Sequence, residues 1–304
     1  MTTATFPTRV RVRTRSDMLR LRLWAWWHGY KLKPAVKGQA KPQAPDRARH
    51  VIRGWTPARI EAAGLLFGTG NVMPWSEDLA YQLCRSLSLG PSSKLVDLSA
   101  GPAGSAARLA NQAEIEPMAA TFSASLADVA AKYYGTAAPR LVRPKQPEGV
   151  LQRGRALAWR EALHTTSAKA QMLMAARSLL VPGCPFSFME FVCTKPASDT
   201  AIKAWKAIEP DFVPEPIEKF TDAFRGTGLD QKNIDDVTDL YLREVPPILQ
   251  ASRRHLEDMG AATSRAVSEA LAAEAALAQA RIDALESGAV KLIQFIGVGK
   301  HVNG

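Results

Sequence analysis

Residues 94–112 carry the feature that most limits what this chain can fold into. Lys94-Leu-Val-Asp-Leu98 is a short apolar run with strand character, Ser99-Ala-Gly-Pro-Ala-Gly-Ser105 follows with no linker, and Ala106–Gln112 reads as a helix. Glycine at such a turn lets the backbone bend tightly and approach a ligand without a Cβ in the way, and the helix behind it offers unpaired N–H groups. Strand, glycine-bearing turn and helix in direct succession open a βαβ unit of the nucleotide-binding kind, which requires a parallel sheet covered by helices.

The chain on either side keeps the same alternation. Thr56-Pro57 is a cap followed by proline at the first helical position, and it opens a helix through Ile60, Ala63, Leu65 and Leu66 that breaks at Gly68-Thr-Gly-Asn71. A second helix spans Ser76 to Leu87. Downstream, Met118–Phe122 and Arg155–Trp159 read as strands, Ser125–Tyr134 and Ser167–Leu180 as helices, and Pro185–Val192 as a strand after the Pro182-Gly183 turn. Residues 197–226 read as helical with proline breaks, and Asn233–Thr238 as a short strand. Residues 240–287 read as a helical insertion broken near Pro246-Pro247 and Gly260, and Val290–Val298 as a final strand, the antiparallel partner that closes the sheet. The alanine-rich stretch Ala261–Leu285 offers Ala266, Ala270, Ala273, Leu277, Ala280 and Ala284 along one side; such a stripe buries little area, so docking on its own chain is favoured over a coiled-coil seam.

Composition matters mainly through its distribution. With 46% hydrophobic and 22% charged residues the 304-residue chain can bury an ordinary core, and no apolar run is long enough for a membrane helix. Cys84, Cys184 and Cys193 are too scattered for a disulfide framework or a zinc site and read as buried small hydrophobes, and the histidines show no metal spacing, so no metal is expected. The net charge of +10 divides into +11 on residues 1–53 and −1 on the remainder. The chain therefore reads as a basic arm over 1–53, partly disordered and carrying a helix with Trp24, Trp26 and Trp27, ahead of one α/β domain over 54–304. Arg20 and Arg22 interrupt the apolar part of the arm and no cleavage site follows, so export is rejected and a cytoplasmic location, with peripheral membrane contact as an option, is expected. An arm of this kind attaches to an acidic surface: a protein partner or second copy first, an anionic membrane through residues 9–53 second, nucleic acid third.

Val96-Asp97-Leu98-Ser99-Ala100-Gly101-Pro102-Ala103-Gly104, followed at the expected distances by Ala156–His164, Lys169–Leu180, Leu180-Val-Pro-Gly183 and Pro185–Val192, resembles the class I S-adenosylmethionine-dependent methyltransferases over roughly residues 56–300. The resemblance implies a Rossmann-like, seven-stranded, mostly parallel sheet with helices on both faces. It also implies an N-terminal helical lid at Gly68–Trp75, a helical insertion before the last strand, and S-adenosylmethionine as cofactor. Cofactor contacts then fall on Asp97, Ser99, Gly101, Gly104 and Ser123; His164 and Glu161 follow the fourth strand where substrate-facing groups sit, with His164 as a general base near neutral pH. Trp75, Tyr241 and Arg243 would line the substrate mouth. Glu190, in an apolar strand, faces either the cleft or a sheet edge.

Several positions depart from the family pattern. Ser99 and Ala103 stand where glycines are usual, and Ser123 offers one hydroxyl where an acid holds the ribose. No acid occurs in Arg140–Lys145 before Glu148; Gly154 or Arg155 stands for the acid opening the fourth strand; and Cys184 replaces a glycine. Two functions remain open on these grounds: methyl transfer to a small-molecule, lipid or protein nucleophile, or an inactive methyltransferase-like subunit that stabilises or targets a partner through its arm.

Overall fold

The computed structural model describes residues 51–300 apart from 53, 75, 92, 99–114, 135–137, 144–152, 162, 214 and 260–263. The arm with its tryptophans, the turn residues Ser99, Gly101 and Gly104, and Trp75 lie outside the described residues.

The chain opens with α1 (Pro57–Phe67), whose N-cap Thr56 accepts from the Arg59 amide, and α2 (Glu77–Cys84), capped by Ser76. The sheet strands β1 (Lys94–Asp97), β2 (Glu116–Thr121), β3 (Arg140–Leu141), β4 (Ala156–Arg160) and β5 (Pro185–Cys193) follow, with α3 (Ala124–Tyr134) after β2 and α4 (Lys169–Ser178) before β5. Then come α5 (Thr200–Ile208), α6 (Ile217–Ala223), β6 (Leu229–Asp236), α7 (Thr238–Met259), α8 (Arg265–Glu286) and β7 (Val290–Gly299). The seven strands are ordered β3-β2-β1-β4-β5-β7-β6, parallel from β3 to β5, with β7 antiparallel to both its neighbours. This is the expected Rossmann-like arrangement.

β4 and β5 explain why the sheet needs two covers. Every residue of β4 is buried, as is all of β5 beyond its first residue, so neither face can meet water. Met189 and Phe191 of β5 join one core with α1, α2, α5, α7 and α8, whereas Phe186 and Phe188 join a second with Phe220, Phe224 and Phe295 on the α4–α6 side. Gly154 shows why no acid opens β4: a Cβ there would lie 2.8 Å from the Val96 side chain and 2.9 Å from the Ala156 carbonyl.

Two sequence expectations are corrected. α7 runs through Pro246 and Pro247 without a break. The bonds those prolines cannot make would have gone to the carbonyls of Leu242 and Arg243, partly or fully exposed to water, while Tyr241, Val245 and Leu249 anchor the opposite side of the helix in the core. The sixth strand starts at Leu229 rather than Asn233; as an edge strand it is polar along most of its length, and the apolar pattern that marks a buried strand is missing. The alanine-rich helix α8 docks on its own chain, against α1, α5 and α7. Among the described residues no helix is long and apolar enough to cross a membrane.

Candidate active site

The strand order reverses at β1: the chain moves outward to β2 and β3, then returns to lay β4 on the other side. In open parallel sheets a crevice forms beyond the carboxyl ends of the strands at such a reversal. A cavity of ≈ 380 Å³ lies there, walled by Leu98 after β1, Ser123 after β2, and Arg160 and Glu161 at the end of β4. Val72 and Met73, between α1 and α2, close it from above, as the expected lid would, and α8 contributes Arg281.

Among the described residues, the end of the cavity over β1 and β2 carries hydroxyl and apolar side chains. Ser123 accepts from the Leu126 amide at 3.2 Å, capping α3, and its hydroxyl lies 3.2 Å from that of Ser125. Ser125 in turn accepts from the Trp55 amide, tying the start of the described chain to this helix. Asp97 is buried at the end of β1 but is not part of the cavity wall; its charge, added to burial, pushes the Cys84 thiol up to about 12. Burial likewise pushes the Cys193 thiol up to about 11, so both remain thiols, as small hydrophobes would.

The end over β4 is dense with charge. Glu161 has φ 52°, a left-handed conformation few non-glycine residues adopt, and its amide donates to the Met189 carbonyl. That geometry turns its carboxylate between two arginines: Arg160 donates to Oε1 at 2.8 Å and Arg281 to Oε2 at 3.0 Å. Arg160 also donates to the Pro74 carbonyl, fastening the lid segment to β4. His164 follows in a turn of 3-10 helix, Leu163–Thr165, fully buried. Its Nδ1 lies 2.7 Å from Glu190 Oε1, and Glu190 also accepts from the Leu163 amide at 2.6 Å and the Phe191 amide at 3.0 Å. On the other side of the ring, Nε2 lies 3.3 Å from Arg281 Nη2 and 3.6 Å from Glu209 Oε2. Glu209 accepts from Trp205 Nε1 at 2.8 Å and from Arg281 at 3.3 Å. Farther along the wall Arg59 pairs with Glu274 and lies 3.8 Å over the Trp55 ring.

These contacts set the protonation states. Burial alone would lower the His164 pKa, but the charge and hydrogen bond of Glu190, then those of Glu209, carry it up to about 9. Burial would raise Glu190, and the His164 charge with the Leu163 and Phe191 amides holds it low instead; Glu209 is held well below the carboxylate range by Arg281 and His164. His164 is thus held toward its imidazolium form at neutral pH by the carboxylates beside it. Its charge and those of Arg160 and Arg281 balance Glu161, Glu190 and Glu209.

The structure therefore brings Glu161, His164 and Ser123 to one cavity and, among the described residues, leaves Asp97, Tyr241 and Arg243 outside its wall. Tyr241 is fully buried under α7, and burial, followed by the charge of Glu161, raises its phenol above the ordinary value. Arg243, on the opposite side of that helix, pairs at the surface with Asp78 at 3.4 Å and Glu244 at 3.0 Å. Neither lines the mouth. Glu190 faces the interior behind His164 rather than an edge. Arg281, Glu209, Glu274 and Arg59 are cavity residues that sequence reasoning missed; the available signal was Glu274 and Arg281, seven residues apart on one face of an alanine-rich helix. Among the described residues no group is placed to hold a metal ion.

No protein-family model and no curated protein matches the sequence. Solved structures do. Phosphoethanolamine N-methyltransferase 2 of Haemonchus contortus, in complex with S-adenosyl-L-methionine, superposes with a TM-score of 0.63 at 13% identity, over 81% of this chain and 58% of that one. This chain thus spans little more than half of that protein's length. A cyclopropane synthase of Mycobacterium tuberculosis gives 0.55 at 14%, over 73% and 83%, and a geranyl diphosphate methyltransferase bound to the same cofactor gives 0.51 at 14%, over 83% and 98%. At these identities the likeness is one of architecture, and the fold of this chain is that of the class I S-adenosylmethionine-dependent methyltransferases.

Proposed function

We propose that the protein transfers a methyl group from S-adenosylmethionine to a nucleophile bound over the end of β4. The observation that carries the reading is the cavity itself, which sits at the strand-order reversal of a methyltransferase fold and has a volume within the range of small-molecule sites. Structural neighbours bound to S-adenosylmethionine or S-adenosylhomocysteine support the choice of cofactor. The described lining fits such a group: Leu98 and Leu126 offer apolar flanks for a base, and the Ser123 hydroxyl and Thr121 lie beside them. Bound there, the cofactor would supply an activated methyl carbon; the chain supplies position. Arg160 holds the lid segment to the sheet, and Val72 and Met73 would help exclude water from a ligand bound in the cavity. Glu161 and Arg281 fix the wall against which the acceptor rests. Ile52 and Trp55 line the cavity, and the basic arm that precedes them in the sequence would bring the acceptor or a protein partner to it.

One observation favours the inactive-subunit reading: the Ser123 hydroxyl already caps a helix and replaces a two-oxygen acceptor. Isothermal titration with S-adenosylmethionine decides between them. Saturable binding at micromolar to sub-millimolar concentration is expected; the absence of heat and of any thermal shift at millimolar ligand overturns methyl transfer and leaves the scaffold role.

A further inference from the structure

The imidazole of His164 sits between two kinds of partner that demand opposite protonation states. Glu190 Oε1, 2.7 Å from Nδ1, accepts and so keeps a proton on Nδ1. That leaves Nε2 as the atom that gains or loses one. When Nε2 is bare, its lone pair can accept from Arg281 Nη2, 3.3 Å away; when it carries a proton, that contact becomes repulsive and Glu209 Oε2, 3.6 Å away, becomes the partner toward which the N–H closes. Arg281 does not swing free in either state, because Glu161 accepts from its other Nη at 3.0 Å. The charged groups that meet the ring are Glu190 on β5, Glu209 after α5 and Arg281 on α8; Arg160 and Glu161 at the end of β4 and Tyr241 on α7 act on Arg281 and on one another. With the proton on, the cluster is neutral; with it off, the cluster carries one negative charge facing the cavity.

A cluster with that property responds to a positive charge placed in the cavity. We propose that His164, with Glu190 as its positioning residue, is a proton site exchanged against charge in the cavity: a cationic ligand expels the proton from Nε2, and the proton released by the methyl acceptor returns to it. The inference rests on the methyl-transfer reading and deepens it. The carbon–sulfur bond breaks with its electron pair going to sulfur, the acceptor atom uses its own pair to bond the methyl carbon, and the acceptor's proton goes to Nε2. Positive charge thus leaves the sulfonium and reappears on the imidazole, and the total in the cavity stays constant. A unit charge across a site of this width shifts a neighbouring titration by roughly one to two pH units at an effective dielectric near 20.

S-Adenosylmethionine and S-adenosylhomocysteine differ by that one charge, so the test compares their binding to the full chain by calorimetry at about pH 8 in buffers of different ionisation enthalpy, which counts protons released. The methionine form should release a substantial fraction of a proton more than the homocysteine form. Glu190→Gln, whose amide can donate to Nδ1 and invert the tautomer, and His164→Gln should each abolish the difference. Equal release by the two ligands overturns the proposal, whether or not the variants fold, and so does a difference that survives in His164→Gln. If neither ligand binds, the methyl-transfer reading fails, and the proton site is judged on the ligand-free protein by imidazole nitrogen NMR. A His164 that titrates near the ordinary 6.5, with its Nδ1 proton unaffected by Glu190→Gln, overturns it there as well.

Discussion

The two ends of the cavity are built on different principles. Over β1 and β2 the described wall is a hydroxyl, a methyl-bearing threonine and leucines, and Ser123 is held by the helix it caps. Over β4 and β5 it is a net of charge, Arg160, Arg281, Glu161 and Glu209 about His164, with Glu190 behind the histidine and the Arg59–Glu274 pair farther along the wall. The Ser123 hydroxyl bonds the start of its own helix, whereas Arg281 ties α8 to Glu161 at the end of β4 and to Glu209, so its loss leaves buried charge unpaired. On the methyl-transfer reading, the acceptor would rest against residues that also tie α8 to the sheet, and the donor beside the Ser123 cap.

That contrast breaks if the charged end tolerates deletion. Arg281→Met leaves Glu161 and Glu209 buried without their shared cation and should cost about 3–5 kcal/mol in a denaturant unfolding curve. A pH series of wild-type stability tests the same net more gently. The folded His164 pKa, about 9, lies above its ordinary 6.5, so its contribution is complete below the lower value and is lost as pH rises through the upper. Glu190 and Glu209 are held below 4.5, and their contribution is present above that value and lost as pH falls. Stability should therefore peak between about 4.5 and 6.5, and Glu190→Gln should flatten the alkaline limb.

Substitution at the other end sharpens the comparison. Ser123→Asp keeps a good cap and adds a second acceptor oxygen; it should tighten S-adenosylmethionine binding by roughly tenfold or more, from a charged hydrogen bond of about 1.5–3 kcal/mol, with little change in the melting curve. Ser123→Ala should cost about 1 kcal/mol of stability through the lost cap alone. The smallest effect belongs to Arg243→Ala, which removes a surface pair between residues each 63% exposed and should change unfolding by under ~0.5 kcal/mol and ligand binding not at all.

The parts legible in the sequence were those with a local signature. Strand β5 shows as an apolar run after Pro182-Gly183, α1 as a cap and a proline, and β1 as the strand before a glycine-bearing turn, and each was placed within a residue or two. The charged end was only half visible. His164 and Glu161 follow a strand and could be flagged, and Glu190 was conspicuous as an acid in an apolar run, but its partner was not deducible from a separation of 26 residues. Arg281 meets Glu161 across 120 residues, and nothing within an alanine-rich helix says which of its faces will turn toward a cavity. Tyr241 failed for the same reason: the helical period fixes which residues share a side and leaves open whether that side meets solvent or core.

The late position of Arg281 has a consequence for biosynthesis. A chain emerging N-terminus first exposes Glu161, Glu190 and Glu209 well before α8 exists, and the edge of β5 waits for β7, its antiparallel partner and the last strand to appear. Until then the nascent domain carries surplus negative charge beneath a bare strand edge flanked by phenylalanines, a form prone to pairing with other chains. Translation must run through α8 before the ion net can close, so truncations upstream of α8 should be recovered from cells in aggregates, whereas full-length chains with surface changes should not.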